Sequence, residues 1–148
     1  MPGILIADDN QAMRASLRAI LSREGWQLCG EAMDGRQAVD LARELKPDLI
    51  ILDLAMPVLD GLHAGAEIVK ADPSRPVILY TLHASEPVAL AAKKAGIREV
   101  ISKTAELGAL FACVKNLLAG KGGPVEAAAG EASTILEKPD REGSAEAD

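Results

Sequence analysis

The feature that most constrains this chain is a short aliphatic run over residues 48–52 that stops at Asp53. A run of this length without polar alternation is typical of a strand buried on both faces, as in a parallel sheet. Met56-Pro57 and Asp60-Gly61 then break the pattern before the next helix. Aspartate is common in turns and helix caps for its own hydrogen-bonding reasons, so Asp53 alone carries no functional assignment.

Similar runs alternate with helical patterns along residues 3–120. The runs predict strands over 4–7, 27–32, 48–52, 76–81 and 99–102, and apolar periodicity predicts helices near 13–21, 38–45, 62–71, 87–95 and 107–118. Strands that alternate with helices of this length imply parallel pairing through right-handed crossovers. We therefore expect an α/β fold, a doubly wound five-stranded parallel sheet of flavodoxin-like (βα)5 type with strand order 2-1-3-4-5. Its ligand site would lie outside strands one and three.

Composition limits what the chain can bind. Its 148 residues fit one domain, and 22 acidic against 16 basic residues give a net charge of −6. This balance lacks the basic surface that phosphate-backbone binding needs, so no nucleic-acid partner is expected. No signal-peptide pattern opens the chain and no stretch is long enough for a membrane span, so we expect a cytoplasmic protein with no membrane partner. Cys29 and Cys113 lack a partner motif and are interpreted as buried free thiols.

Residues 121–148 differ from the rest of the chain. They are rich in Gly, Ala and Glu, with seven acidic and three basic residues and a single aliphatic pair, Ile135-Leu136. Such a segment buries too little apolar surface to offset its chain entropy. We expect a disordered acidic tail that is dispensable for folding, following a domain that spans residues 1–120.

Polar residues with complementary chemistry follow the predicted strands. Asp8-Asp9 end the first strand, Asp53 the third, Thr81 the fourth and Lys103 the fifth. Because the carboxyl ends of parallel strands share one edge, these side chains are expected to meet there. Clustered carboxylates repel one another unless a cation lies among them, and oxygen-only ligands suit Mg²⁺. Lysine and a hydroxyl beside such a cluster are useful if an anion such as a phosphoryl group arrives at Asp53.

With these residues in these positions, the chain resembles the response-regulator receiver domain of two-component signalling over essentially all of residues 3–119. The motifs that carry the resemblance stand at the ends of four predicted strands in the family's order: Asp8-Asp9, Asp53 with Met56-Pro57 and Asp60-Gly61, Thr81, and Lys103. Each motif is weak alone, and their combination is specific.

The resemblance implies a role for each of these residues. Asp53 would accept a phosphoryl group from a histidine kinase or another phosphotransfer protein, while Thr81 and Lys103 would bind the phosphoryl oxygens. Mg²⁺ would be held by Asp9, Asp53 and the backbone carbonyl of Ala55, with Asp8 acting through water. The chemistry implied is in-line phosphoryl transfer, in which positioning and charge neutralisation carry most of the catalysis. An ordinary metabolic enzyme with a substrate pocket is not expected.

Three positions depart from the family pattern. Val100 stands where a switch aromatic is usual, Leu82 follows the switch hydroxyl where a small residue is usual, and Thr104 follows the lysine where a proline is frequent. A cis bond before Thr104 is not expected because it is costly without proline. His83 lies two residues after Thr81, where the family varies and tunes dephosphorylation. These departures concern how the signal is passed on, not the acceptor chemistry.

Three functions remain open on the sequence. The leading one is a single-domain response regulator that signals through protein contacts on the face of helix four, strand five and helix five. The second is a phosphorelay intermediate or phosphate sink. The third is a receiver-like binding module that does not switch, which Val100 and Leu82 favour.

Overall fold

The computed structural model describes residues 2–120, in which strands and helices alternate without exception. The elements are β1 Gly3–Ala7, α1 Gln11–Arg23, β2 Gln27–Ala32, α2 Gly35–Leu45, β3 Leu49–Leu52, α3 Gly61–Ala71, β4 Val77–Thr81, α4 Glu86–Ala95, β5 Glu99–Ser102 and α5 Leu107–Gly120. The predicted tail over residues 121–148 lies outside the described part of the chain.

All five strands form one sheet in the order β2-β1-β3-β4-β5, and every neighbouring pair is parallel. The predicted fold class and strand order are therefore confirmed. The central strand β3 is buried along its whole length, because the sheet continues on both of its edges and helices cover both of its faces. This explains why its sequence lacks the polar alternation of a half-exposed strand.

The helices form two layers, and alternate residues of each central strand face opposite layers. On one side Ile50 and Leu52 pack in the cluster that holds the buried residues of α2, α3 and α4. On the other side Leu49 and Ile51 pack in the cluster that holds those of α1 and α5. This second layer contains the edge-to-face pair of Trp26 and Phe111, whose ring centroids are 6.5 Å apart.

Four of the helices begin at a side chain that caps the first turn. Asn10, Asp34 and Asp60 each accept a hydrogen bond from the backbone N–H three residues later, and Ser85 does the same for α4. Such caps satisfy N–H groups that have no partner within the helix. Because each cap lies just after a strand or its loop, it fixes where the chain turns away from the carboxyl edge of the sheet.

The structure changes a few local predictions. Asp48 lies before β3 rather than in it, and its side chain accepts the Gly3 backbone N–H at 2.7 Å. Cys29 and Cys113 are free but only partly buried, and burial raises the pKa of the Cys113 thiol to about 12. Within residues 2–120, no helix has both the length and the apolar character needed to cross a membrane.

Candidate phosphoryl-acceptor site

Three carboxylates meet at the carboxyl edge of the sheet, as the sequence predicts. Asp8 and Asp9 follow β1 and Asp53 follows β3, which is the neighbouring strand. One oxygen of each lies within 4.8 Å of the others. Asp8 and Asp53 are buried, whereas Asp9 is exposed. Hard oxygen ligands with one side open to water fit a magnesium ion, which keeps several of its own waters.

Lys103 reaches this cluster from the edge strand of the sheet. It follows β5, yet its Nζ lies 2.6 Å from Asp8 Oδ2 and 3.3 Å from Asp53 Oδ2. Its side chain is only 8% exposed, so the ammonium is shielded from water. Burial lowers the pKa of Lys103, but the hydrogen bond to Asp8 and the charges of Asp53 and Asp8 together raise it above its ordinary value. The lysine is therefore a fixed positive charge among the acids.

The two buried acids are also anchored by backbone groups. The Asn10 N–H donates to Asp8 Oδ1 at 2.9 Å, and the Leu54 N–H donates to Asp53 Oδ1 at 2.8 Å. The Asp53 N–H in turn donates to the Ala7 carbonyl at 2.9 Å, which joins the ends of the two strands. Oxygens held in this way do not have to reorganise when a cation or an anion arrives.

The loop from β3 to α3 folds back onto Asp53 because Gly61 has no side chain. A Cβ at residue 61 would lie 2.9 Å from the Asp53 carbonyl carbon, closer than real Cβ atoms come. Gly61 also donates its N–H to the Leu54 carbonyl at 2.8 Å. Ala55 is exposed in this loop, and no described group hydrogen-bonds its carbonyl. That carbonyl therefore remains available to a metal ion.

Thr81 lies at the same edge, and within residues 2–120 no hydrogen bond connects its side chain to the acids. Its side chain is fully buried, and its Oγ1 accepts the His83 backbone N–H at 3.1 Å. The Lys103 N–H donates to the Thr81 carbonyl at 2.9 Å, so the ends of β4 and β5 are connected through the backbone. Leu82, the next residue, is 64% exposed. The structure thus brings together four of the predicted site residues and leaves Thr81 engaged with its own loop.

Among residues 2–120, none of the positions that depart from the expected family pattern forms a hydrogen bond or ion pair with the acids. Val100 is half-buried and packs on the cluster that contains Val88 and Ala92 of α4. No peptide bond is cis among residues 2–120, and this includes the bond between Lys103 and Thr104. On the side of β5 that packs against α4, the aliphatic Val100 therefore occupies the position where the family usually has a switch aromatic.

One part of the site was not predicted. The apolar residues Met13, Leu17 and Leu21 form one stripe of α1, and this pattern predicts that Arg14 lies on the outer side of the helix. Its side chain is nevertheless only 11% exposed. Arg14 Nη1 donates to the Asp8 carbonyl at 2.7 Å, and Arg14 Nε donates to Glu31 at 3.2 Å. The available signal was its spacing, because Arg14 lies one turn after the cap Asn10, directly beside the chain that enters the helix.

Comparisons with known proteins agree with this geometry. The family model described as "Response regulator receiver domain" matches residues 4–115. The chemotaxis protein CheY of Thermotoga maritima is 38% identical over 100 residues, which cover 68% of this chain and 83% of the relative.

Solved structures lead to the same family. The response regulator domain of Thermotoga maritima CheB is 30% identical with a TM-score of 0.74, over 80% of this chain and 97% of that one. A chain of the CheX-CheY-BeF3-Mg complex from Borrelia burgdorferi is 25% identical with a TM-score of 0.74, over 78% of this chain and 87% of that one.

Proposed function

The chain belongs to the response-regulator receiver family, in which phosphorylation by a kinase is typical, and from this we propose that Asp53 is its phosphoacceptor. The observation that carries the proposal is the environment of Asp53. It is a buried carboxylate at the end of β3, 3.3 Å from the Lys103 ammonium and grouped with Asp8 and Asp9. The phosphodonor would be a histidine kinase or another phosphotransfer protein.

The transfer needs little covalent chemistry from the protein. An Asp53 carboxylate oxygen forms the new bond to phosphorus while the bond from phosphorus to the donor's imidazole nitrogen breaks. The nitrogen keeps the electron pair and is neutralised by a proton. Lys103 would turn from Asp8 toward the phosphoryl oxygens, and Thr81 would exchange its hydrogen bond with His83 for one to the same group. Positioning and charge neutralisation then carry the catalysis, as expected for phosphoryl transfer.

We assign the metal to the acidic cluster. Asp9, Asp53 and the Ala55 carbonyl would hold Mg²⁺ directly, and Asp8 would act through water. Mg²⁺ supplies positive charge that offsets the charge of the phosphoryl oxygens. Support comes from the donor set itself, and from the Borrelia relative, whose structure contains both BeF3 and Mg. Lys103 already pairs with Asp8 and Asp53, so Asp9 is the acid most available to the ion.

The output proposed is a protein contact on the face formed by α4, β5 and α5. Receiver domains of this family interact with kinases and with downstream partners. On this face Leu90 is 60% exposed among small residues such as Ala89, so another helix could approach closely. The chain would act in the cytoplasm as a phosphorylatable signalling protein, with its own phosphotransfer and dephosphorylation as its only reactions.

A second candidate function is a receiver-like module that binds its partner without switching. Val100 favours this function, because its half-buried, β-branched side chain is restricted at χ1 and has no ring to move. A phosphorelay intermediate or phosphate sink would use the same Asp53 chemistry, and only the partner would differ. The acceptor assignment is therefore common to the response regulator and the phosphorelay protein, and the non-switching module does not depend on it.

The direct test is phosphorylation with acetyl phosphate and Mg²⁺, followed by intact-mass measurement. One acid-stable, base-labile phosphate is expected in the wild-type chain and in Asp40→Asn, a control at an exposed carboxylate on α2. Asp53→Asn should take up none. A phosphate that persists in Asp53→Asn, or one that maps to another residue, would overturn the assignment.

The output is tested by adding beryllofluoride, a phosphoryl mimic, and following backbone NMR shifts. If the chain switches, shifts should extend from the Asp53 pocket into residues 84–103. They should be carried mainly by the backbone near α4, because Val100 has no ring to swing. Shifts confined to the pocket would favour the non-switching module.

A further inference from the structure

Arg14 is a largely buried charge that the phosphotransfer chemistry does not use. It lies in α1, and its guanidinium donates to two acceptors on different elements. Nη1 donates to the Asp8 backbone carbonyl at 2.7 Å, and Nε donates to Glu31 of β2 at 3.2 Å. A guanidinium taken out of water needs such partners, and its planar donors suit two acceptors at fixed positions.

Glu31 is itself fixed by a second arginine. Arg18 Nε donates to Glu31 Oε2 at 2.8 Å from one turn further along α1. This hydrogen bond, opposed by burial and supported by the charges of both arginines, lowers the pKa of Glu31. The carboxylate therefore stays ionised and holds Arg14 in place, while the half-exposed Arg18 forms no hydrogen bond or ion pair with Asp8 in the described part of the chain.

The contact with the Asp8 carbonyl determines more than the position of Asp8. That carbonyl belongs to the planar peptide group that joins Asp8 to Asp9, so fixing its oxygen fixes the direction in which Asp9 leaves the strand. Asp8 has other anchors, namely Asn10 N–H at 2.9 Å and Lys103 Nζ at 2.6 Å on its carboxylate. Asp9 is exposed, and among residues 2–120 its carboxylate has no hydrogen-bonded or ion-pair partner.

We infer that Arg14, held by Glu31, is a positioning residue that orients Asp9 toward the shared metal position. The inference rests on the proposed function, because it assigns Asp9 to the metal. Among residues 2–120, Arg14 forms no hydrogen bond or ion pair with the carboxylates of Asp9 and Asp53. It acts through the peptide plane, by keeping the Asp9 carboxylate within 4.8 Å of those of Asp8 and Asp53.

A purely electrostatic role for Arg14 has the opposite consequence. Removing a positive charge near an acidic site strengthens the attraction of a divalent cation. Removing a positioning hydrogen bond weakens binding, because Asp9 then has to be ordered by the ion itself. Arg18 offers the matched control, since it carries the same charge on the same helix and pairs with Glu31, and Arg18→Met keeps the hydrogen bonds of Arg14 to Glu31 and to the Asp8 carbonyl.

The experiment measures the Mg²⁺ dissociation constant by isothermal titration calorimetry for wild type, Arg14→Met, Arg14→Lys and Arg18→Met. Groups that hold a metal's ligands typically contribute at least about tenfold in affinity, so Arg14→Met should bind Mg²⁺ roughly tenfold more weakly. Arg18→Met should bind as tightly as wild type or more tightly. Arg14→Lys should be intermediate, because it keeps the charge but not the two-acceptor geometry.

Equal or tighter Mg²⁺ binding by Arg14→Met would overturn the inference. If Arg14→Met does not fold, Arg14→Lys decides, and a wild-type dissociation constant in that variant is equally contrary. If wild type binds no Mg²⁺, the proposed metal site fails by itself. The positioning role is then judged on amide hydrogen exchange of Asn10 without metal. Faster exchange in Arg14→Met than in Arg18→Met supports it, and equal exchange overturns it.

Discussion

The loops at the carboxyl edge of the sheet are of two kinds. Those after β1 and β3 carry the acids, and each has side-chain and backbone anchors. The Asp8 carboxylate accepts from Asn10 and Lys103, and Asp53 accepts from Leu54 and forms an ion pair with Lys103. The loop after β4 is different. Residues 82–85 are all exposed, and its link to the strand is the His83 N–H donating to Thr81 Oγ1.

This difference suits the two tasks of a phosphorylatable receiver. Acids that are already in place can stabilise the transferring phosphoryl group without reorganisation. A loop with few buried contacts costs little to rearrange when Thr81 acquires a new acceptor. Under the proposed function, the anchored loops after β1 and β3 would receive the phosphoryl group and the exposed loop after β4 would respond to it.

The largest effect is expected from a substitution at Gly61, where the anchored loop after β3 meets α3. In Gly61→Ala the new methyl group would press on the Asp53 carbonyl and on Leu54, which are backbone and cannot give way. We expect the free energy of unfolding to fall by about 3 kcal/mol, the upper part of the range for overpacking. Urea denaturation measures it.

The control is Gly108→Ala in α5, where a Cβ would meet no atom within 4 Å. It should be neutral or stabilising by at most about 1 kcal/mol, because alanine favours helix. Similar losses in both variants would show that the β3–α3 loop is not specially constrained.

The second prediction sharpens the comparison within the acidic cluster. Asp9 is its exposed, unanchored member, so Asp9→Asn should leave metal-free stability unchanged or raise it, because one of three clustered negative charges is removed. Mg²⁺ at ten times its dissociation constant should stabilise the wild-type chain by about 1.4 kcal/mol, and Asp9→Asn should lose most of this gain. Thermal melts with and without Mg²⁺ measure both quantities. Full metal stabilisation in the variant would exclude Asp9 as a ligand.

The third prediction concerns the exposed loop after β4. Leu82 follows Thr81, and its side chain would hinder small molecules that approach Asp53. Leu82→Ala should raise both the rate of phosphorylation by acetyl phosphate and the rate of phosphate loss by roughly threefold, which corresponds to about 0.65 kcal/mol of activation free energy.

Leu90→Ala is the matched control, because Leu90 is 60% exposed against 64% for Leu82 but lies within α4. Its rates should equal those of wild type. If Leu82→Ala also leaves both rates unchanged, access to Asp53 is limited by another group.

The smallest effect expected is a pH dependence of the stability that Glu31 contributes. Glu31 binds Arg14, which donates to the Asp8 carbonyl in the loop between β1 and α1. The hydrogen bond from Arg18 lowers the pKa of Glu31 in the folded chain below its ordinary 4.5, although burial opposes this. A depressed carboxyl pKa stabilises the fold above the ordinary value, and this stabilisation is lost as the pH falls through the folded pKa. Glu31→Gln should therefore be less stable than wild type at neutral pH, and the difference should vanish in acid. If the difference in stability persists at low pH, it arises from packing and not from the charge of Glu31.

Much of the molecule followed from sequence periodicity. Aliphatic runs such as residues 50–52 predicted the parallel strands, and the strand order was confirmed. Asp60-Gly61 marked the break before α3, which begins at Gly61. Both features arise between residues close in the chain. The position of each polar residue at a strand end was equally local. For that reason the gathering of Asp8, Asp9 and Asp53 at one edge was predicted.

What the tertiary structure decided is which atoms meet. The sequence placed Lys103 at the right edge, but only the fold brings its ammonium closer to Asp8 than to Asp53. The apolar stripe of α1 put Arg14 toward solvent, whereas the packing of α1 beside β2 turns it to Glu31 and the Asp8 carbonyl. Periodicity specifies the face on which a residue lies. The reach of a long side chain depends on the distance and twist between elements, and those are set only when the whole core has packed.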